Sequence, residues 1–211
     1  MFSFDPYQIA ITAVVILFVL TVHEFSHALA ADALGDDTAR RLGRLTLNPL
    51  AHLDFLGTAL FFIAGFGWAK PVPVNPYNLR NPKKDMIVIA AAGPLSNLLT
   101  AIIGGFVIRA AMEGGLLMTQ TGELVRAILV LLVFYSIALA VFNLIPIPPL
   151  DGSRILYGIL PDGIAEFYAR FEKVGMLVLF GIFIFAREGA MRVLWGPVDW
   201  MFRLFTGMGI F

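Results

Sequence analysis

Residues Ile9–Leu34 read IAITAVVILFVLTVHEFSHALAADAL, and this stretch sets the fold. It is apolar for most of its 26 residues, about 39 Å as a helix at 1.5 Å per residue, long enough to cross a bilayer. The helix should stop at Gly35-Asp36-Asp37. Inside it lies His23-Glu24-Phe25-Ser26-His27, an HExxH sequence. On a helix the two His are one turn apart on one face and can hold one Zn²⁺, with Glu24 between them placed to act as general base on a metal-activated water. With three His in the chain, chance would produce this motif roughly once in a thousand shuffled sequences. An ionisable side chain near a bilayer centre costs about 2.5 to 3.5 kcal/mol on insertion scales. Three such residues in five therefore call for a compensating partner, most simply a metal. The bland alternative is a polar helix-packing patch.

Composition supports the membrane reading. Of 211 residues, 59% are hydrophobic and 14% charged, far from ordinary globular usage and expected of an all-α, multi-span chain forming a single membrane-embedded domain over 1–211. Fifteen basic and fifteen acidic residues cancel, which leaves no electrostatic footprint for nucleic acid. The absence of Cys excludes disulfides, thiolate nucleophiles and Cys-ligated zinc. The N-terminal Met-Phe-Ser-Phe-Asp-Pro lacks a basic region, so the first span should be retained in the mature protein.

Further along, Arg41–Leu47 alternates polar and apolar like a short strand that could present an edge. Phe55–Phe66 is apolar but too short to span, with Gly57 and Gly65, and reads as a re-entrant half-span. The Pro-rich stretch from Gly67 to Asp85 reads as an ordered surface loop. Met86–Ala111 is the second full span and Leu124–Leu144 the third, broken by Pro146, Pro148 and Pro149. Ile164–Ala186 can make a fourth span, amphipathic in its first turns, and Ala190–Phe211 an interfacial helix interrupted at Gly196-Pro197. Basic residues crowd the loops flanking the half-span and follow the third span. The positive-inside rule then puts the N-terminus outside and the HExxH end of the first helix at the cytoplasmic side of the cell membrane.

Two His leave a catalytic zinc one protein ligand short. Candidates for the third are His52, Asp54, Asp151 and the acids Asp32, Asp36 and Asp37. Asp151 is preferred, because the Pro-broken segment Asn143–Gly152 supplies irregular backbone beside the end of a span, which lipid tolerates only where protein or water covers it. Alone, Asp151-Gly152 could be a turn or a helix N-cap. His52 could be a loop residue, a partner to a ligand, or a substitute ligand, and a structural or supporting role is favoured.

HEFSH, then Gly93-Pro-Leu-Ser-Asn97, then Asn143-Leu-Ile-Pro-Ile-Pro-Pro-Leu-Asp-Gly152 resemble, in order, the three signatures of the site-2 protease family of intramembrane zinc metalloproteases. The resemblance covers about Val14 to Leu156. It implies one Zn²⁺ per chain on His23, His27 and Asp151, Glu24 as base, and a three-helix catalytic core made by the first, second and third full spans. It also implies cleavage of single-span transmembrane proteins in the bilayer, with no room for the PDZ or CBS domains that many members carry. Asn143 could donate to the oxyanion formed on the scissile carbonyl or could bond across helices. Asn97 reads as a packing and hydrogen-bonding residue. A reading from another class is a non-catalytic metal-binding scaffold or transporter on the same fold, against which the intact Glu24 stands.

Overall fold

The computed structural model describes residues 6–55, 57, 69–115, 119–185 and 187–210. Eight helices organise them: α1 (Pro6–Ala33), α2 (Thr38–Arg41), α3 (Pro82–Glu113), α4 (Gln120–Asn143), α5 (Asp151–Ile159), α6 (Asp162–Ala169), α7 (Glu172–Phe185) and α8 (Arg187–Thr206). Short 3-10 turns occupy Pro49–His52 and Pro76–Asn78.

The helix ends follow local chemistry. Helix α1 closes where Gly35 takes φ 105°, a left-handed conformation that suits a residue without Cβ, and the Asp36 amide reaches back 2.9 Å to the Ala31 carbonyl. Asp36 itself is buried. Its carboxylate accepts from the Asn75 amide (2.7 Å), the Asn78 side chain (2.8 Å), and the amide and hydroxyl of Thr38. Burial alone would raise the Asp36 pKa, but those donors hold it below the usual carboxylate range. This one carboxylate thus ties the end of α1 to the turn that precedes α3. Helix α3 begins with Asn81 as N-cap and Pro82 in its first turn, and the Asp85 carboxylate accepts from the Asn81 amide at 2.8 Å. Thr119 caps α4 through Gly122 at 3.0 Å.

Among the described residues three helices are long and apolar enough to cross a membrane: Pro6–Ala33, Pro82–Glu113 and Thr121–Asn143. They pack against one another, and large apolar side chains such as Phe18, Leu95, Leu99, Phe106 and Ile128 face outward, as a lipid solvent requires. Between α3 and α4 the buried residues Ala101, Ile108, Val133 and Ile137 form one core, which Val198 and Phe202 of α8 complete. Small residues permit the close approach. A Cβ on Gly104 would lie 2.8 Å from a Val133 methyl carbon.

Three expectations from sequence are corrected. Arg41–Leu47 is not a strand: α2 runs into it, Gly43 turns the backbone at φ 68°, and Arg44 is drawn inward to carbonyls far along the chain. Among the described residues β pairing is limited to an isolated antiparallel bridge, Leu53 with Ala69. The tail does not break at Gly196-Pro197, since α8 continues through Pro197, and burial of Val198 and Phe202 against α3 and α4 offsets the backbone bond that proline removes. Ile164–Ala186 is not one helix either. Arg170-Phe171 turns between α6 and α7, where the Tyr168 hydroxyl donates to the Pro146 carbonyl at 2.8 Å. The half-span proposed for Phe55–Phe66 lies outside the described residues except at positions 55 and 57.

Candidate active site

His23 and His27, one helical turn apart on α1, are both buried, with ring centroids 4.6 Å apart. The residues that receive them are Ile89, Gly93 and Asn97, spaced four apart and so aligned on one face of α3. Gly93 supplies room: a Cβ there would meet His27 Nε2 at 2.4 Å and His23 Cε1 at 2.7 Å. The Ile89 carbonyl lies 2.7 Å from His27 Nδ1. A carbonyl only accepts, so Nδ1 carries the hydrogen and Nε2 faces His23 and Asp151. On the other ring, His23 Nδ1 lies 3.1 Å from the Asn97 amide nitrogen, while Asn97 Oδ1 is buried without a partner among the described residues.

Asp151 arrives from the opposite end of the sequence. It occupies the first turn of α5, where Leu150 is the N-cap and no side chain caps the helix, so the capping role open to Asp151 from sequence is not the one it takes. Gly152 makes that placement possible, because a Cβ on it would lie 2.2 Å from the Leu144 carbonyl oxygen at the end of α4. The Asp151 Oδ2 atom sits 3.1 Å from His23 Nε2 and 3.3 Å from His27 Nε2, and the two Nε2 atoms are 3.0 Å apart. Burial would raise the Asp151 pKa, yet the bonds and charges of the two His hold it well below the usual range, so it presents an ionised carboxylate.

These separations decide whether a metal suits the site. Donors at about 2.0 to 2.1 Å from a tetrahedral zinc are about 3.3 Å from each other. The observed triangle of 3.0, 3.1 and 3.3 Å matches that shape. Among the described residues, His23, His27 and Asp151 are the group whose donor atoms lie close enough together to hold a metal ion.

The remaining acids are occupied elsewhere. Asp32 pairs with Arg40, Asp37 with Arg41, Asp36 with the Asn75–Asn78 turn, and Asp54 accepts from the Gly57 amide. His52 is buried away from the triangle, with Nε2 2.9 Å from the Thr46 carbonyl and its own carbonyl accepting from the Lys70 amide. Asn143 donates to the Leu139 carbonyl on its own helix at 3.0 Å.

Glu24 is buried beside the triangle, and its Oε2 accepts from the Val72 amide at 3.1 Å. Arg44 holds that segment in place: its guanidinium donates to the carbonyls of Lys70 (2.6 Å) and Pro71 (3.2 Å). Burial lowers the Arg44 pKa and the Glu24 charge works against the shift, so the two are linked electrostatically as well as through the backbone. From the sequence, Arg44 is one of the basic residues in the loops flanking the half-span and nothing more. Its bonds go to main-chain oxygens 26 and 27 residues on, and no side-chain pattern announces them.

This architecture, a bilayer-length HExxH helix closed by an aspartate from a distant turn, is that of a membrane metalloprotease. The profile of Peptidase family M50 matches residues 11–186, and the chain belongs to that family. Two similar proteins both carry the name "Putative zinc metalloprotease": YwhC of Bacillus subtilis, 38% identical over 187 residues (87% of this chain, 84% of YwhC), and Rip2 of Mycolicibacterium smegmatis, 32% identical over 198 residues (91% and 72%). Rip2 of Mycobacterium tuberculosis is 29% identical over 191 residues, 88% of this chain and 70% of that protein. No solved structure matches. The chain is therefore a multi-pass membrane metalloendopeptidase of the site-2 protease type, and its cofactor is Zn²⁺.

Proposed function

We propose that this protein hydrolyses peptide bonds in or near the transmembrane segments of single-span membrane proteins, as a step of regulated intramembrane proteolysis. One observation carries the reading: the donor triangle and the buried Glu24 are built on and between helices of bilayer-crossing length. His23, His27 and Asp151 would hold Zn²⁺, which supplies Lewis acidity and an activated water. Glu24 would accept a proton from water and deliver it to the leaving amine. The Val72 amide fixes the carboxylate for that exchange, and Ile89 and Asn97 hold the imidazoles. Asn143 would release Leu139 and donate to the developing oxyanion. A substrate helix must unwind locally first, since its backbone is enclosed and internally bonded.

In this reading residues 164–186 make the fourth crossing through α6 and α7 in succession, the N-terminus is outside and the active site opens toward the cytoplasm. The test sets Glu24→Gln beside wild type, both zinc-loaded and reconstituted with synthetic single-span peptides. Wild type should cut and Glu24→Gln should retain about one zinc per chain without cutting. Cleavage surviving in Glu24→Gln would reject the mechanism. Metal flux across liposomes indifferent to Glu24 would favour a transporter on the same fold.

A further inference from the structure

Beside the metal centre a cavity of about 530 Å³ opens between the segment carrying Val72, the start of α3, and the chain from Pro148 onward. It touches the proposed machinery at two points. Val72, whose amide bonds Glu24, forms one wall, and Ser153 and Arg154 of α5, which follow ligand Asp151, form another.

Its charge is one-sided. The lining contains two cations, Lys83 and Arg154, and no acid. Lys83 is already neutralised, with Nζ 2.6 Å from Asp162 and 2.6 Å from the Leu160 carbonyl. Asp151, one turn before Arg154, is engaged by the two His. Arg154 is exposed and, among the described residues, has no hydrogen-bond or ion-pair partner. A planar guanidinium left open in a cleft walled by Pro148, Pro149 and Tyr157 is suited to a carboxylate, which it can bind through two parallel bonds.

We propose that Arg154 sets substrate specificity by binding a carboxylate a few residues from the scissile bond, an inference that rests on the endopeptidase reading above. Three residues of helix separate Arg154 from Asp151 by about 4.5 Å of rise. With the reach of the arginine side chain, and with an unwound peptide advancing about 3.3 Å per residue, the carboxylate falls within about three residues of the cut. It is supplied by an Asp or Glu side chain or by a C-terminal carboxylate.

The experiment uses zinc-loaded Glu24→Gln chain in phosphatidylcholine nanodiscs and fluorescent single-span peptides that differ only at the flanking position, Glu, Gln or Lys, each with a free or an amidated C-terminus. The Glu flank should bind about tenfold tighter than the Lys flank. Arg154→Gln in the same background should abolish the ratio and Arg154→Glu should reverse it, with zinc still near one per chain. Sensitivity to amidation but not to the flank assigns the carboxylate to a chain terminus. An unchanged ratio in Arg154→Glu overturns the proposal, as does the absence of binding by any peptide. Equal weakening of all peptides, seen only when phosphatidylglycerol is added, overturns it in favour of a lipid headgroup contact. Peptides that bind with the expected ratio but remain uncut by the active chain would reject the endopeptidase reading and leave the Arg154 site standing.

Discussion

A Cβ on Gly93 would lie 2.4 Å from Nε2 of His27, the atom that faces Asp151. Gly93→Ala must therefore push the imidazoles off the triangle or α3 off α1. We expect zinc affinity to fall by at least tenfold, read by competition with a chromophoric chelator. Gly104→Ala, which crowds the Val133 methyl carbon instead, should lower the melting temperature while zinc affinity stays near wild type.

Asn97 is the partner of His23 Nδ1. If His23 offers Nε2 to the metal, its Nδ1 bears hydrogen and needs an acceptor, which a half-turn of the Asn97 amide supplies from the unpartnered Oδ1. Asn97→Asp should then keep zinc, while Asn97→Leu should lose about 10- to 100-fold in affinity. Equal loss in both variants would reject the acceptor role.

Arg44 acts through main-chain oxygens to aim the Val72 amide at Glu24. Arg44→Ala should reduce kcat by about tenfold or more, with zinc content unchanged and KM altered less, since the loss lies in positioning the base. Arg44→Lys, able to reach one carbonyl, should recover part of the rate. A fall in zinc content parallel to the rate would assign Arg44 to the metal site instead.

The buried carboxylate of Asp36 makes stability depend on pH. Its folded pKa lies below the ordinary value of 3.8, so its contribution is complete above that value and is lost as the pH falls through the folded pKa. Asp36→Ala should cost about 1 to 3 kcal/mol at pH 7. The gap between variant and wild type in chemical unfolding should narrow only below about pH 4. A gap constant down to pH 2 would show that the side chain matters for packing and not for charge.

The chemistry was more legible than the connections. HEFSH placed His23, Glu24 and His27 together because helical spacing fixes what lies on one face, and NLIPIPPLDG brought Asp151 to them because proline forces the backbone out of a span. GPLSN resembles a family signature, but the reasons for its Gly and Asn lie across the interface, in His27 and His23. Arg41–Leu47 misled because alternation describes side chains, while the Gly43 backbone and the long reach of Arg44 decide the path. Gly196-Pro197 misled for the converse reason: local breakers were counted and the buried Val198 and Phe202 beyond them were not.

His23 and Asp151 stand 128 positions apart. A cation bridging them closes a ring that includes α2, α3 and α4, and so removes freedom from the unfolded chain much as a covalent cross-link would. Chelation should then cost the protein rigidity as well as reactivity. On this basis the supply of metal to the membrane would govern how long each copy survives, as well as whether it cuts.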